Sequence, residues 1–306
     1  MAFPRLIAID MDGTLLNSSA RISPRNLAAL HLAEAAGVEP VIATGRRHCY
    51  AMHVLRDLPL AASNALISSN GAVIRTFGHH LLHRSYMPLE TARWLCAHAG
   101  DFRSSLVLTF DTVDETGEDS CGALVSELTH DLHDSINQWM LANQRYIQHV
   151  DRIEDALHGD PPIQMMICGG IDRMSQAEAL LRQDPRVSAV GEPSTDRTEI
   201  TLHRTSYPQR DLSIVDILPA GCSKASALEH LLHLRGLTTT DLMAIGDNWN
   251  DLPMLELAAH PVLMANAPTD LKALAHSRHW TIAPTNDNDG VAHAIESALA
   301  TTPLFT

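Results

Sequence analysis

The chain has 306 residues, 45% of them hydrophobic and 19% charged, a folded-protein composition whose length suits two domains at about 150 residues each. A formal charge of −14 argues against a surface that wraps nucleic acid, and no run approaches the roughly 20 apolar residues of a membrane span. The apolar start at 6–9 is too short for a secretion signal, and Cys49, Cys96, Cys121, Cys168 and Cys222 contain no C-x-x-C pair, so a cytoplasmic chain without disulfides or zinc ribbon is expected.

Residues 6–10 are an apolar run stopped by acid, Gly and Thr, which predicts a buried parallel strand followed by a turn. Ser23 and Pro24 predict the N-cap and first position of a helix that Gly37 ends. A strand at 38–43 runs into Thr44-Gly45-Arg46, and another at 65–68 runs into Ser69-Asn70-Gly71. This strand–helix–strand rhythm predicts a parallel sheet with right-handed crossovers.

The rhythm changes near Tyr86. Helices at 88–98, 131–143 and 172–182 alternate with strands at 105–110 and 163–168, then strands at 187–190, 198–203 and 212–217 follow in succession. That pattern predicts an α+β module with a largely antiparallel sheet, its strands turning at 194–197 and 206–209. From Ser223 the first rhythm returns, with a helix at 224–235, a strand at 242–246, a helix at 251–259, a strand at 261–264 and helices at 269–276 and 291–300. The expected organisation is a doubly wound, Rossmann-like α/β core of residues 1–86 and 218–306, interrupted by an inserted α+β domain at 87–217.

The chemistry-bearing residues sit at strand ends, where open α/β sheets bind ligands. Asp10-Met11-Asp12-Gly13-Thr14-Leu15 puts two carboxylates across one turn. Thr44-Gly45-Arg46 leaves a hydroxyl and open backbone N–H groups for an anion. Lys224 opens a helix, where a cation is mildly unfavourable unless something anionic lies nearby. Gly246-Asp247-Asn248-Trp249-Asn250-Asp251 adds two carboxylates and an amide; each acid alone could be a helix cap, but such a density of hard oxygens suits Mg²⁺. The histidine pairs His130/His133 and His230/His233 have helical i,i+3 spacing but no third ligand beside them, and are expected to be structural or solvent-facing.

Together these parts fit phosphoryl transfer, which depends on positioning and charge neutralisation. Asp10 would act as nucleophile through an aspartyl-phosphate, and Asp12 as general acid and then base. Mg²⁺ would shield Asp10 from the phosphate charge, with Lys224 and Thr44 on the equatorial oxygens.

The set I-D-M-D-G-T-L (residues 9–15), A-T-G-R (43–46), S-S-N-G-A (68–72), C-S-K (222–224), G-D-N-W-N-D (246–251) and N-D-N-D-G-V-A (286–292) resembles the haloacid dehalogenase superfamily, and within it the Cof-like phosphatases. The resemblance implies that Asp10 is the nucleophile and Asp12 the acid/base. It implies Mg²⁺ on Asp10, the main-chain oxygen of Asp12, and Asp247, with Asp251 orienting the metal shell directly or through water. Thr44, Gly45, Arg46, Lys224 and Asn250 would contact the phosphoryl group. It also implies a cap domain in the insertion, to which no substrate-binding residue is matched, and flanking residues Cys222 and Ala225 that depart from the commoner Val and Gly. The implied substrate is a small phosphorylated metabolite, a sugar phosphate by resemblance, with neither nucleic acid nor membrane as partner. A phosphosugar mutase and a non-catalytic phosphometabolite-binding protein on the same core remain alternatives.

Overall fold

The computed structural model describes residues 4–127, 134–207 and 211–300. The chain forms two compact units, one from the segments up to Leu82 and from Ser223 onward, the other from His83–Cys222.

The first unit opens with strand β1 (Leu6–Asp10), helix α1 (Pro24–Ala35), β2 (Glu39–Ala43), α2 (His48–Leu55), β3 (Ala65–Ser68), β4 (Val73–Thr76) and β5 (Leu81–Arg84). The inserted unit carries α3 (Leu89–His98), β6 (Leu106–Thr109), β7 (Leu124–Glu127), α4 (Asp134–Asn143), β8 (Ile147–Val150), β9 (Gln164–Gly169), α5 (Ile171–Leu181), β10 (Val187–Ala189), β11 (Ile200–Tyr207) and β12 (Leu212–Pro219). The first unit resumes with α6 (Lys224–Arg235), β13 (Leu242–Gly246), α7 (Leu252–Leu257), β14 (His260–Met264), α8 (Thr269–Ser277), β15 (Thr281–Ala283) and α9 (Gly290–Ala300).

The first unit's sheet has the order β15-β14-β13-β1-β2-β3-β4-β5. All neighbours from β15 to β3 pair in parallel, while β4 returns antiparallel to β3. Alternate residues of β1 feed opposite layers, because side chains on a strand point to alternating faces. Ile7 and Ile9 join Leu30, Leu55 and Ile295 of α1, α2 and α9 in one apolar cluster, and Leu6 and Ala8 join Leu228, Met254 and Leu271 of α6, α7 and α8 in the other. Each fully buried Leu or Ile contributes about 1.5–3 kcal/mol. The result is a three-layer α/β/α core with β1 at its centre.

After β1 the chain moves to β2 on one side, and after the insertion it returns to β13 on the other. The strand order reverses at β1, and open α/β sheets bind ligands beyond the C-terminal ends of the strands at such a reversal. Among the described residues no helix is long and apolar enough to cross a membrane.

The inserted unit is one seven-stranded sheet, order β10-β11-β12-β9-β6-β7-β8. Leu106, Leu108, Met165, Ile167, Val215 and Ile217 on one face pack with Leu95, Met174 and Leu181 of α3 and α5. Its ladders are antiparallel except β7–β8 and β10–β11, which are parallel.

Several elements differ from the sequence expectation. Strands β4, β5, β7 and β8 were not foreseen, because each is four residues long with at most two adjacent apolar residues, whereas the equally short β3 and β6 open on three. Strand β11 extends past His203 to Tyr207, its half-exposed polar end held by pairing with β12 along Ile200↔Pro219 to Tyr207↔Leu212. Helix 251–259 begins instead as a 3₁₀ turn, Trp249–Asp251, and becomes α-helical at Leu252 with Pro253 in its first turn, where a missing N–H costs nothing. The beginning of helix 131–143, the pair His130/His133 and part of the 206–209 turn lie outside the described residues.

Candidate active site

The end of β1 is shaped by its turn. Leu15 N donates to Asp10 O (3.2 Å) and Leu16 N to Met11 O (2.9 Å), which folds the chain back over Asp10. Gly13 has φ +82°, and a side chain there would collide with the Asp247 carboxylate. Glycine is therefore demanded twice, by its backbone and by that approach.

Lys224 is held by the start of α6. Ser223 caps the helix, its Oγ accepting from Ser226 N (3.1 Å) while Ser226 Oγ accepts from Ser223 N (2.9 Å). The turn after β3 presses on this cap. Ser69, Asn70 and Gly71 all have positive φ (+49°, +52° and +106°), and any side chain on Gly71 would meet the Ser223 carbonyl.

From this frame the fully buried Lys224 ammonium donates to Asp10 Oδ1 and to Asp251 Oδ1, the latter at 2.6 Å. Asp251 Oδ2 accepts from Asp247 N (3.0 Å) and Asn248 N (3.1 Å), which closes the loop after β13. Asp247 accepts from Thr14 Oγ1 (3.1 Å) and Asn266 Nδ2 (3.3 Å). Oxygens of Asp10, Asp247 and Asp251 lie within 4.8 Å of one another.

The electrostatics follow from three acids around one buried cation. Burial pushes the Asp10 carboxyl well above its usual range, and Asp251 and Asp247 add to it against the pull of Lys224. Burial also pushes Asp247 up to about 7, helped by Asp251 and opposed by the Thr14 hydrogen bond. Burial alone would lower Lys224, but Asp10 and Asp251 outweigh it and keep the ammonium charged. Three close carboxylates with one positive partner leave negative charge uncompensated, and hard oxygens in this number are the donor set of Mg²⁺. These residues fit such an ion.

Asp12 does not join that cluster through its side chain. Its carboxylate is half-exposed and accepts from Arg46 Nε (2.8 Å) and Nη2 (2.5 Å). Arg46, expected on the phosphoryl group, meets the carboxylate of Asp12. Thr44 is buried after β2, and its Oγ1 accepts from Arg46 N (3.1 Å). Gly45 is exposed and faces Asn70, whose side-chain amide a Cβ at this position would press at 3.0 Å. Asn250 lies half-buried in the turn immediately before Asp251.

Sequence reasoning passed over Thr14, Asn70 and Asn266. Asn266 also donates to Gly13 O (2.8 Å), tying the turn after β1 to the end of β14. Its position just past a strand end was the signal that could have found it. The N-D-N-D-G stretch has a visible use in bracing the β1–α1 connection: Asn286 Nδ2 donates to Leu16 O (2.9 Å), Asp287 accepts from Ser18 N (2.8 Å) and Asp289 from Ser23 Oγ (2.5 Å).

Comparison with known proteins agrees with this architecture. The sequence profile of the haloacid dehalogenase-like hydrolases matches residues 7–295. The chain is 29% identical over 313 residues to the 5-amino-6-(5-phospho-D-ribitylamino)uracil phosphatase of Bacillus subtilis, covering 97% of this chain and 98% of that one. It is 29% identical over 269 residues to the HMP-PP phosphatase of Escherichia fergusonii, covering 88% and 87%. A solved haloacid dehalogenase-like hydrolase from Bacteroides thetaiotaomicron superposes with a TM-score of 0.73 at 26% identity, over 96% of this chain and 99% of that one.

Proposed function

This chain belongs to the haloacid dehalogenase-like hydrolase family, as a phosphatase of phosphorylated small molecules, and on that premise we propose that it is Mg²⁺-dependent and carries the phosphoryl group on Asp10. The observation that supports this most is the buried carboxylate of Asp10 at the reversal of strand order, hydrogen-bonded to Lys224 and grouped with Asp247 and Asp251.

The first step forms a bond from Asp10 Oδ to phosphorus and breaks the bond to the ester oxygen, which takes a proton from the Asp12 carboxyl. In the second step a water oxygen attacks phosphorus, its proton passes to Asp12, and the Asp10 carboxylate leaves. Asp12 ends protonated, as it began. Lys224, Thr44, Gly45 and Asn250 hold phosphoryl oxygens. Mg²⁺ would be held by Asp10, the main-chain oxygen of Asp12 and Asp247, with Asp251 ordering its surroundings, and when bound it supplies charge neutralisation for the developing phosphoryl negative charge.

The substrate class we propose is a phosphate monoester on a sugar or sugar-alcohol chain, in keeping with the phospho-ribityl group named for one relative. The inserted unit would set which molecule is accepted, and the proposed setting is the cytoplasm. Release of inorganic phosphate across a panel of phosphorylated sugars, sugar alcohols, nucleotides and cofactors tests this reading. Turnover of one class with Mg²⁺, lost by a factor on the order of 10⁴ or more in Asp10→Asn, is expected. Full activity in that folded variant would sink the nucleophile assignment, and a blank panel would favour a binding protein.

A further inference from the structure

Arg46 sits in the loop that the sequence assigns to phosphate binding, yet both oxygens of Asp12 are engaged by its guanidinium, through Nε at 2.8 Å and Nη2 at 2.5 Å. A planar fork on a carboxylate fixes the plane and direction of that carboxylate as well as its charge. The arginine is itself fixed. Its backbone N donates to Thr44 Oγ1 (3.1 Å), and its carbonyl accepts from Ser69 N (2.8 Å). Ser69 begins the three-residue turn of positive φ, a conformation that only the surrounding structure maintains for Ser and Asn. The guanidinium also lies over the Tyr50 ring of α2, 5.2 Å from its centroid. Asp12, in contrast, has a side chain that is 49% exposed and stands on a turn outside the cluster of buried carboxylates. A half-exposed acid on a turn has several rotamers available, and Arg46 selects one of them.

We propose that Arg46 is a positioning residue for Asp12, holding the carboxylate in the direction from which it serves the leaving oxygen and the attacking water. This rests on the reading of Asp12 as general acid and base. In the first step Asp12 gives its proton to the ester oxygen as the phosphorus–oxygen bond breaks. The fork of Arg46 holds the direction of that carboxyl group through both steps. In the second step the same carboxylate takes the proton of water. Arg46 neither gains nor loses a proton in either step.

The readout is the dependence on the leaving group. An alkyl phosphate expels a strongly basic alkoxide that needs a proton, whereas an aryl phosphate such as p-nitrophenyl phosphate expels a weakly basic phenolate that does not. Arg46→Ala, Arg46→Lys and Asp12→Asn are compared with the wild type on glucose 6-phosphate, or the best alkyl ester of the panel, and on p-nitrophenyl phosphate, with circular dichroism as the check on folding. General acid catalysis contributes about 10²–10⁴-fold, so Arg46→Ala is expected to lower the alkyl kcat/KM, which reports the step that expels the leaving group, by about 10–100-fold and at least about tenfold more than the aryl kcat/KM. Arg46→Lys, which keeps the charge but not the fork, should show the same ratio in milder form, and it carries the test if the alanine variant fails to fold.

Equal losses on both esters in the Arg46 variants would make Arg46 a phosphate contact and overturn the inference while Asp12→Asn still shows the leaving-group bias. If Asp12→Asn itself shows no bias, the acid/base reading fails and the inference falls with it.

Discussion

The Arg103 cluster of the inserted unit and the Lys224 cluster of the first unit each place one cation between two carboxylates, and they behave in opposite ways. In the inserted unit Arg103 lies between Glu127 and Glu154, with Nε–Oε1 of Glu127 at 3.0 Å and Nη1–Oε1 of Glu154 at 2.5 Å. The hydrogen bond from Arg103 holds the Glu154 carboxyl down to about 2. In the first unit Lys224 lies between Asp10 and Asp251, yet burial and neighbouring acids push Asp10 and Asp247 up. The first cluster is partly solvated, and a five-donor fork serves its carboxylates. The second is almost dry, has one more acid than it can serve, and keeps its charges only because the fold insists on them. The scaffold ion pair holds the Glu154 carboxyl down, whereas in the cluster proposed to receive a cation and a phosphoryl group Asp10 and Asp247 are pushed up.

Removing each cation should break the comparison most visibly. Lys224→Met is expected to destabilise the fold by roughly 3–5 kcal/mol, because it strips the partner from buried acids, and to lower kcat by about 10²–10³-fold. Arg103→Met should cost only about 1–2 kcal/mol and leave phosphate release at the wild-type rate. Urea denaturation and steady-state kinetics on the two variants check both. Comparable kinetic losses in the two would show that the inserted cluster is more than scaffold.

Adding a cation should separate the clusters in the other direction. Mg²⁺ at about 100 times its dissociation constant stabilises a protein by about 2.7 kcal/mol, which for a unit of this size raises Tm by about 5–10 °C. Thermal unfolding with and without Mg²⁺ is expected to show this shift in the wild type and in Arg103→Met. In Asp247→Asn the shift should disappear. A full shift in that variant would remove Asp247 from the metal site.

How much of this was legible beforehand divides along physical lines. Asp10, Asp247 and Asp251 could be read because each follows an apolar strand, and strand ends on one edge of a parallel sheet must meet. Lys224 could be read from its misfit at a helix start. The pairing of Arg46 with Asp12 could not, since the residues are 34 apart and nothing in their spacing says which carboxylate a strand-end arginine will grip. Thr14 meets Asp247 across 233 residues, a contact that exists only once β13 has docked beside β1. The left-handed turn was announced by Asn70 and Gly71, residue types that tolerate positive φ, whereas Ser69 adopts it under tertiary constraint and carries no local signature of it. In the inserted unit the apolar elements of the β9, α5 and β12 kind were visible, whereas the buried β7 is only four residues long and β8 lies in polar, largely exposed sequence.

The acid limb of stability distinguishes the units by the pH at which it begins. Burial lowers His48 in α2 from 6.5 to about 3, so the unfolded chain takes up a proton that the folded one refuses. Stability from this group is complete above 6.5 and is lost as pH falls from there toward 3. Glu154 moves from 4.5 to about 2, so its contribution is complete above 4.5 and is lost as pH falls toward 2. The two signs agree but the windows do not. Asp10 and Asp247, pushed up by burial, act with the opposite sign over part of that window, so the His48 contribution is read by difference. Relative to wild type, His48→Gln should lack the decline in urea midpoint between 6.5 and about 3 that His48 adds, while leaving the later one in place. Glu154→Gln should do the reverse. If His48→Gln leaves the early decline unchanged, the imidazole takes its proton in the folded state, and the first unit owes its acid sensitivity to some other group.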